Sequence, residues 1–596
     1  MEYVSNNSAW QKQSIKYLED KTAKLGGARD VQRELVEIVC DTVENGGQVL
    51  VEAPTGSGKS YAELIPAICD DATPSKRWLF VTATNSLSNQ LVNKDLPYLT
   101  ARKNLYGVYK AVNNYVCPAK LSVASGVNKP LFDWAKKTGG DRYAAPHHSK
   151  REWAQISTSK AGCKGFDVCA FRNDCTAAVN SRQANKAKIV VTSQATLGAM
   201  LGSGKDFLGE FDVIVSDEVH ELPAYLRESL TGRLNKNFLN SFNNHVVRLE
   251  RSGYGRVDKD LVELVRGITN KAISDTSGKY PDPKIFVPVI NALSMHLDSI
   301  KESRIFKEIV EESREVSRFI DVFRTLSNTG DDWVRWVDNG YHCGPLTIDK
   351  QFQYFLSGKS FIGLSATVDS FVGLELGVRD VRFCQPVFDP NNLSIVIPSG
   401  FPSPKDRSTH LKEFSKLTRQ TTKCLGGYTL VLCTSLDSVK YLCSELNIDG
   451  IEVLDATKGI NSKIASFKKS GGKNMVLVGT GALWTGTDLP GCVKALMIEK
   501  LPFPPPTDVI ARKQADSIPG GFMKVTVPKC ALMLRQGIGR AIRQDSDQAL
   551  CVICDPRLAN TNYGRAILST IPREHFDSID TVKEGVRWIL DEMIAE

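Results

Sequence analysis

A glycine-rich loop close to the start of the chain limits the possible folds most strongly. The loop reads Ala53-Pro54-Thr55-Gly56-Ser57-Gly58-Lys59-Ser60. It follows a short apolar segment, Gln48–Glu52, and precedes a helical pattern at Tyr61–Ile68. Loops of this kind bind phosphate through backbone N–H groups and a helix N-terminus, and they lie between a strand and a helix. The sequence therefore predicts a parallel α/β sheet at this point.

Two side chains of the loop carry the expected chemistry. Lys59 would neutralise the β- and γ-phosphates of a nucleotide, and the hydroxyl of Ser60 would ligate Mg²⁺. The alternative is a chance match in a glycine-rich turn, which the flanking strand and helix patterns disfavour.

Further apolar segments extend the α/β pattern along the chain. They are Trp78–Thr82, Lys188–Thr192, Phe211–Ser216, Phe361–Leu364, Thr429–Cys433, Met475–Val478, Ala495–Ile498 and Leu550–Cys554. Short β-branched strands that alternate with helical stretches are typical of parallel sheets. The chain has 596 residues, which is enough for several domains, and the later strands predict a second α/β lobe.

Two segments interrupt the strand pattern. Between 107 and 180 the strands give way to cysteines, aromatic residues and basic residues, and between 224 and 344 the pattern is mainly helical. We interpret both as insertions in the first lobe. This interpretation divides the chain into 1–106, 181–223 and 345–390 as the first lobe, 107–180 as a cysteine-rich insertion, 224–344 as a helical insertion, and 391–596 as the second lobe.

An acidic pair follows the apolar strand that ends at Ser216. The sequence there is Asp217-Glu218-Val219-His220. Downstream of a phosphate loop, Asp217 is expected to hold Mg²⁺ and Glu218 to polarise the attacking water. A surface acidic cluster is the alternative.

The second lobe supplies positive charge. The segment reads Gln536-Gly537-Ile538-Gly539-Arg540-Ala541-Ile542-Arg543. Phosphoryl transfer needs cations near the charge that develops in the transition state, and two arginines one helical turn apart would reach one site. A basic surface helix is the alternative. On the functional interpretation, ATP lies between the two lobes.

Four cysteines point to a metal centre inside the first lobe. Cys163, Cys169 and Cys175 are evenly spaced, and Cys117 lies 46 positions before the first of them. Four thiolates hold a [4Fe–4S] cluster or a zinc ion, and unliganded thiols are a third possibility. Zinc ribbons usually pair cysteines two to four residues apart. Spacing alone, however, does not distinguish between a [4Fe–4S] cluster, a zinc ion and unliganded thiols. The other eleven of the fifteen cysteines are expected in apolar strands of the core.

Charge and hydropathy limit the possible partners. The net charge of +8 permits a nucleic-acid partner without demonstrating one. Aromatic and basic residues around the cysteines, namely Lys164, Phe166, Phe171 and Arg172, suit single-stranded DNA, although simple packing and solubility account for them equally well. No apolar run reaches the roughly 20 residues that span a bilayer, and Met1–Gln13 lacks the apolar core of a signal peptide. We therefore expect a cytoplasmic protein with reduced or metal-bound cysteines.

The ordered set of motifs resembles the DinG/XPD iron–sulfur group of superfamily-two DNA helicases. The blocks are Arg29-x-x-Gln32, the phosphate loop, Thr82-Ala83-Thr84, Asp217 to His220, Ser365-Ala366-Thr367, Gly479 to Gly491 and Gln536 to Arg543. DinG is the closer match on Asn114-Tyr115-Val116-Cys117 and on Leu501-Pro502-Phe503-Pro504-Pro505-Pro506-Thr507. The resemblance covers the chain from about Gly27 to Arg557.

The resemblance implies a fold and an activity. It implies two RecA-like motor domains, a [4Fe–4S] insertion that separates the strands, and a helical arch over the translocated strand. The activity would be ATP-dependent 5′-to-3′ translocation on single-stranded DNA with unwinding of forked duplexes or RNA–DNA hybrids. The protein would be a monomer that acts on DNA in the cytoplasm of a bacterium or in phage infection.

The resemblance also assigns roles to residues. Arg29 and Gln32 would recognise adenine, and Ser365 and Thr367 would couple hydrolysis to lobe movement. His220 lies where such helicases connect the acidic motif to Gln536. The second lobe would complete the site with Asp488, Gln536, Arg540 and Arg543, and the cluster ligands would be Cys117, Cys163, Cys169 and Cys175.

Two departures from the family pattern indicate a divergent member. The family usually has Asn-His where this chain has Ser193-Gln194, and Trp-Glu-Gly where it has Trp484-Thr485-Gly486. Three rival interpretations stay open: a translocase that clears proteins or RNA from DNA and unwinds poorly, a redox-responsive DNA-binding protein with residual ATPase activity, and a zinc-bound structural insertion.

Overall fold

The computed structural model describes most of the chain. It covers residues 8–54, 56–71, 75–159, 162–163, 165–166, 169–204, 206–306, 309–385, 389–484, 489–543, 546–571 and 582–595. Thr55, Lys164, Thr485 and Asp488, which the sequence singled out, lie outside these residues. The described strands are β1 (Gln48–Glu52), β2 (Trp78–Thr82), β3 (Tyr106–Val108), β4 (Ile189–Ser193), β5 (Val213–Ser216), β6 (Gly232–Asn235), β7 (Trp333–Val337), β8 (Gly340–Pro345), β9 (Ser360–Ser365), β10 (Asp380–Phe383), β11 (Leu393–Val396), β12 (Thr429–Leu432), β13 (Glu452–Asp455), β14 (Met475–Gly479), β15 (Ala495–Ile498) and β16 (Ala549–Ile553).

The described helices lie mainly between these strands. They are α1 (Ala9–Thr22), α2 (Asp30–Glu44), α3 (Lys59–Cys69), α4 (Asn85–Gln90), α5 (Leu96–Leu99), α6 (Pro118–Leu121), α7 (Lys129–Thr138), α8 (Lys150–Ile156), α9 (Thr176–Lys186), α10 (Gln194–Ser203), α11 (Leu222–Leu230), α12 (Lys236–Arg251), α13 (Lys259–Ser274), α14 (Val287–Glu302), α15 (Val310–Leu326), α16 (Asp349–Phe355), α17 (Ser370–Leu376), α18 (Arg407–Leu425), α19 (Leu436–Glu445), α20 (Ile460–Lys469), α21 (Val509–Asp516), α22 (Val527–Ile538), α23 (Arg557–Asn560), α24 (Asn562–Leu568) and α25 (Val582–Ala595). None of the helices in the described part of the chain is both long and apolar enough to cross a bilayer.

The first lobe is built on a parallel sheet with the strand order β10-β1-β9-β5-β2-β4-β3. Its strand ends are in register: Glu52 pairs with Ser365, and Thr82 pairs with Ser193. Because parallel strands end at the same edge, the loops that follow β1, β2, β4, β5 and β9 meet there. This edge collects the phosphate loop, the acidic pair and the Ser365 turn, as the rule for ligand sites in α/β sheets leads one to expect.

The second lobe contains a parallel sheet with the order β11-β16-β15-β12-β14-β13. Its central strands β12, β15 and β16 are buried along their whole length. Helices cover both faces of a parallel sheet, which explains why these strands read as continuous apolar runs rather than alternating ones. The predicted class, two α/β lobes with parallel sheets, is confirmed.

The cysteine-rich segment has a small core of its own. α6, α7 and α8 pack around Val116, Leu131, Trp153 and Ile156. The indole Nε1 of Trp153 donates to the carbonyl of Asn113 at 2.8 Å. This core is separate from the core of the first lobe, so the segment forms a compact unit on the lobe's edge.

The segment from 224 to 344 combines helices with a sheet that the helical pattern did not predict. α12 to α15 enclose an aromatic cluster in which Phe238 contacts both Phe319 and Phe323. Beside them lies an antiparallel sheet of order β6-β8-β7. Gly232 pairs with Cys343 across more than a hundred intervening residues, and pairing at that distance leaves no local signal in the sequence.

Candidate nucleotide site between the lobes

The phosphate loop has the backbone that its glycines require. It connects β1 to α3, and Gly56 and Gly58 adopt positive φ values of 77° and 74°. A side chain at Gly58 would place its Cβ 2.2 Å from Nε2 of Gln32. Lys59 begins α3, and its ammonium donates to the carbonyl of Ala53 at 3.0 Å. The Lys59 ammonium thus lies against the backbone of the loop, where the phosphates of a nucleotide would bind.

Arg29 and Gln32 contact the phosphate loop directly. Gln32 is only 5% exposed, so it is not a solvent-facing helix residue. Its Nε2 donates to the carbonyl of Gly58 at 3.3 Å, and its Oε1 accepts from the backbone N–H of Arg29 at 3.0 Å. The guanidinium of Arg29 donates to the carbonyl of Gly56. The pair therefore braces the loop, and recognition of adenine stays a prediction.

The acidic pair lies at the end of β5 in an uncommon conformation. Glu218 has φ 48°, and it is one of four non-glycine residues with positive φ among those described. Its backbone N–H donates to Oδ1 of Asp217 at 2.9 Å. Non-glycine residues adopt this conformation at a cost of roughly 1–3 kcal/mol and keep it only when their surroundings enforce it. Strain of this size is typical of functional sites.

Electrostatics at this edge favour a bound cation. Burial, together with the adjacent charge of Glu218, raises the pKa of Asp217 to about 6. Burial also raises the pKa of Glu63, a residue of α3, and the charge of Asp217 adds to the effect. Carboxylate and hydroxyl oxygens are the ligands that Mg²⁺ prefers. The side chains of Ser60 and Asp217 therefore suit Mg²⁺, which would relieve the repulsion among these acids.

Ser365 connects the acidic pair to the second lobe. Its hydroxyl donates to Oε2 of Glu218 at 3.2 Å and lies 2.7 Å from Nδ1 of His220. Two residues further on, Oγ1 of Thr367 accepts from Nε2 of Gln536 at 3.1 Å. The sequence-based link from His220 to Gln536 thus passes through the Ser365–Thr367 turn. Burial and the charge of Glu218, which act in opposite directions, leave the pKa of His220 at about 4, so the ring is neutral at pH 7.

The two arginines of the second lobe lie beyond the end of a helix. α22 ends at Ile538, so the expectation that Arg540 and Arg543 lie one turn apart on a helix is wrong. Arg540 is buried, and its Nε donates to the carbonyl of Trp484 at 3.2 Å. Burial acts to raise the pKa of Glu218, but its polar and charged neighbours, led by Lys59 and including Arg540, outweigh burial and lower that pKa. The charge of Arg540 therefore acts on the acidic pair from the other lobe.

An ion pair that the sequence analysis did not identify joins the lobes beside this site. Arg535 pairs with Glu52, the last residue of β1, and each side chain is 15% exposed. The second carboxylate oxygen of Glu52 accepts from the backbone N–H of Val368 at 2.7 Å. The only signal in the sequence was position, because Glu52 precedes the phosphate loop and Arg535 precedes Gln536.

A second set of polar contacts joins the lobes away from the phosphate loop. Nε2 of Gln514 donates to Glu375 at 2.7 Å, and Oε1 of Gln514 accepts from the ammonium of Lys529 at 2.7 Å. Glu375 also pairs with Arg227. Gln514 and Lys529 belong to the second lobe and Glu375 to the first. Among the residues that the structure describes, side chains therefore connect the lobes at two separate places.

Cys163 lies close enough to the other three predicted cluster cysteines for their charges to act on its thiol. Burial raises the pKa of Cys163, and the other three, Cys117, Cys175 and Cys169, add to the shift. All four are half-buried free thiols. A set of four thiols fits an iron–sulfur cluster or zinc.

The expectation for the remaining cysteines is only partly right. Most of them are buried, but Cys424 is exposed and Cys443 is half-buried. The expectation of strands is wrong for most of the eleven. Only Cys343 and Cys551 lie in strands, β8 and β16, whereas five lie in helices, namely Cys40, Cys69, Cys424, Cys443 and Cys530. Near the cluster cysteines, Phe171 lies at the surface, and its contact with DNA stays a prediction.

Family models match both lobes. The model described as "Type III restriction enzyme, res subunit" matches residues 26–249, and the "Helicase C-terminal domain" model matches residues 418–574. The matches agree with the order of the two α/β lobes.

Curated relatives match almost the whole chain. The ATP-dependent DNA helicase YoaA of Haemophilus influenzae is 25% identical over 91% of this chain and 93% of its own length. The ATP-dependent helicase DinG of Mycobacterium tuberculosis is 26% identical over 92% of this chain and 94% of its own.

Solved structures share the fold. An XPD helicase superposes with a TM-score of 0.57 at 15% identity, over 91% of this chain and 98% of its own. Xpd4 of S. tokodaii gives 0.54 at 15% identity, over 92% of this chain and 100% of its own.

Proposed function

Since the chain is a DinG/XPD-like superfamily-two helicase, and so an ATP-dependent DNA helicase, we propose that it moves 5′-to-3′ along single-stranded DNA and opens the duplex ahead of it. The proposal includes forked duplexes and RNA–DNA hybrids as substrates. We further propose that the protein is a monomer that acts in the cytoplasm of a bacterium or in phage infection.

One observation carries the proposal: hydrogen bonds and charges connect the acidic pair of the first lobe to the second lobe. Ser365 donates to Glu218 at 3.2 Å, and Gln536 donates to Thr367 at 3.1 Å. A movement of the Glu218 carboxylate during hydrolysis would therefore act on the contact between the lobes. Such a connection is what a motor needs to convert hydrolysis into movement of one lobe against the other.

The residues of the site divide the chemistry among them. Lys59 holds the transferred phosphoryl group, and Ser60 and Asp217 would hold Mg²⁺, which supplies positive charge to the β- and γ-phosphate oxygens when bound. Glu218, kept ionised by its cationic neighbours, accepts a hydrogen bond from the attacking water and orients it. Arg540 and Arg543, from the second lobe, stabilise the charge that develops on the phosphoryl oxygens.

We further propose that Cys117, Cys163, Cys169 and Cys175 hold a [4Fe–4S] cluster. The support is their common neighbourhood and the compact core beside them. The cluster would stiffen this unit, which would then act as the wedge that parts the two strands. A zinc ion is the alternative, and metal analysis with a visible spectrum distinguishes the two.

Unwinding of labelled duplexes tests the proposal. We expect the protein to separate a duplex with a 5′ single-stranded tail when ATP is present, and to leave a duplex with only a 3′ tail intact. Glu218→Gln should abolish unwinding, whereas the exposed control Arg407→Gln should unwind like the wild type. Displacement of RNA or a bound protein without unwinding of naked duplex would favour the translocase instead.

A further inference from the structure

Gln194 begins α10 directly after β4, and its side chain is fully buried. Its Nε2 donates to the carbonyl of Asp217 at 2.9 Å and to the carbonyl of Glu218 at 3.0 Å. One amide group thus binds the backbone of both residues of the acidic pair. Ser193, the residue before it, caps α10 by accepting from the backbone N–H of Thr196, and this fixes where the helix, and with it Gln194, begins.

The backbone that Gln194 holds is the strained one. Glu218 has φ 48° and ψ 48°, a conformation that a residue with a Cβ adopts only under constraint. The turn directs the carboxylate of Glu218 towards Ser365 at the lobe interface. Without the Gln194 amide, the carbonyl oxygen of Asp217 would lose the donor described for it, and the carbonyl oxygen of Glu218 would keep only the backbone N–H of Glu221, at 3.0 Å. The backbone could then relax towards a more common conformation, and the carboxylate would move with it.

We propose that Gln194 is a positioning residue for ATP hydrolysis. It holds the carbonyls of Asp217 and Glu218 so that the Glu218 carboxylate stays in place for the attacking water. The proposal rests on the function proposed above for this site. Since Gln194 touches neither the phosphate loop nor Lys59 in the described contacts, its effect should fall on the chemical step rather than on nucleotide binding. A displacement of about 1 Å at a reacting group can cost roughly 100-fold in rate.

Three variants test the inference in the full-length protein. Gln194→Met keeps the size of the side chain and removes the donor. Gln194→His restores one N–H donor. The control is Gln353→Met, because Gln353 also donates twice through Nε2, to Gln48 at 2.8 Å and to the carbonyl of Leu376 at 2.9 Å. Gln48 starts β1, so this control lies at the sheet edge opposite the phosphate loop.

The readout is steady-state ATP hydrolysis with saturating single-stranded DNA. For Gln194→Met we expect kcat to fall by ~10- to 100-fold while KM for ATP stays within about threefold. Gln194→His should recover most of the lost kcat. Gln353→Met should lower the melting temperature and leave kcat within about twofold of the wild type.

Several results would overturn the inference. They are a kcat for Gln194→Met within about twofold of the wild type, an equal loss in Gln353→Met, and a histidine variant as slow as the methionine variant. If Gln194→Met does not fold, Gln194→Asn replaces it, because its side chain is one methylene too short to reach both carbonyls. This variant should show the same selective loss of kcat. A normal kcat would refute the inference. A wild-type protein without ATPase activity would instead refute the proposed function itself.

Discussion

The ion pair between Glu52 and Arg535 should control how readily the lobes close around ATP. Glu52→Gln removes the charge, but its amide oxygen can still accept from the backbone N–H of Val368. Arg535→Met removes the other charge and keeps an apolar stem. The two variants therefore isolate the ionic contact between the lobes.

The expected size of the effect follows from burial. Each side chain is 15% exposed, so water screens the pair only in part. A charge-assisted hydrogen bond in such a setting contributes roughly 1.5–3 kcal/mol, less than the 3–5 kcal/mol lost when a fully buried pair is broken. Since about 1.4 kcal/mol corresponds to a factor of ten, each variant should lower kcat/KM for ATP by about 10- to 100-fold.

A double-mutant cycle on kcat/KM measures the coupling. If the pair acts as a unit, the double variant should be about as slow as either single variant, with a coupling energy of roughly 1–3 kcal/mol. The matched control is Arg407 with Asp437, a pair 3.7 Å apart within the second lobe that is 57% and 69% exposed. Its coupling energy should be below about 0.5 kcal/mol.

Additive effects at Glu52 and Arg535 would refute this reasoning. An equal coupling energy in the exposed control pair, Arg407 with Asp437, would also refute it. A drop in melting temperature without any change in kcat/KM would show that the pair stabilises the fold and does not govern closure.

Three further predictions concern the phosphate loop, the cysteines and the helical segment. Lys59→Ala should abolish ATP hydrolysis and unwinding together, because the lysine carries the charge that faces the phosphates, and retained unwinding would contradict the scheme. Cys163→Ser should lower the iron content and the absorbance near about 400 nm of anaerobically purified protein, whereas Cys424→Ser, at an exposed thiol, should leave both unchanged. Burial lowers the pKa of His245, but hydrogen bonding to Glu312 outweighs it and leaves that pKa raised. Stability from a raised pKa is complete below the ordinary value of about 6.5 and is lost as the pH rises through the folded value. His245→Asn should therefore lower the melting temperature more at about pH 6 than at about pH 8.5, and an equal loss at both would contradict the assignment.

The features that the sequence predicted are local. The strand that ends at Glu52 and the loop up to Ser60 carry their signal within a dozen neighbouring residues, and so does the acidic pair at Asp217. The order of these motifs then predicted two parallel-sheet lobes, because each motif needs a strand in front of it. The structure confirms that class.

The features that the sequence missed depend on distant contacts or on helix ends. Arg535 and Glu52 are 483 positions apart, and the sheet of β6, β7 and β8 pairs strands across the helical segment. The helix before Arg540 ends at Ile538, and Gly539 is its C-cap. Glycine at this position is a helix stop signal, but the sequence interpretation continued the helix to Arg543. Gln194 was visible as a departure from the family pattern, but its role needed the positions of the two carbonyl oxygens that it binds.

The proposed function makes the chain a motor that unwinds DNA with energy from ATP hydrolysis at the site between its lobes. The most direct measurement is strand separation, by anaerobically purified protein, of two labelled duplexes that differ only in the polarity of their single-stranded tail. We expect the wild type to separate the 5′-tailed duplex when ATP is present, and Glu218→Gln to separate neither duplex. Strand separation without ATP would contradict the proposed function. So would strand separation by Glu218→Gln at the rate of the wild type.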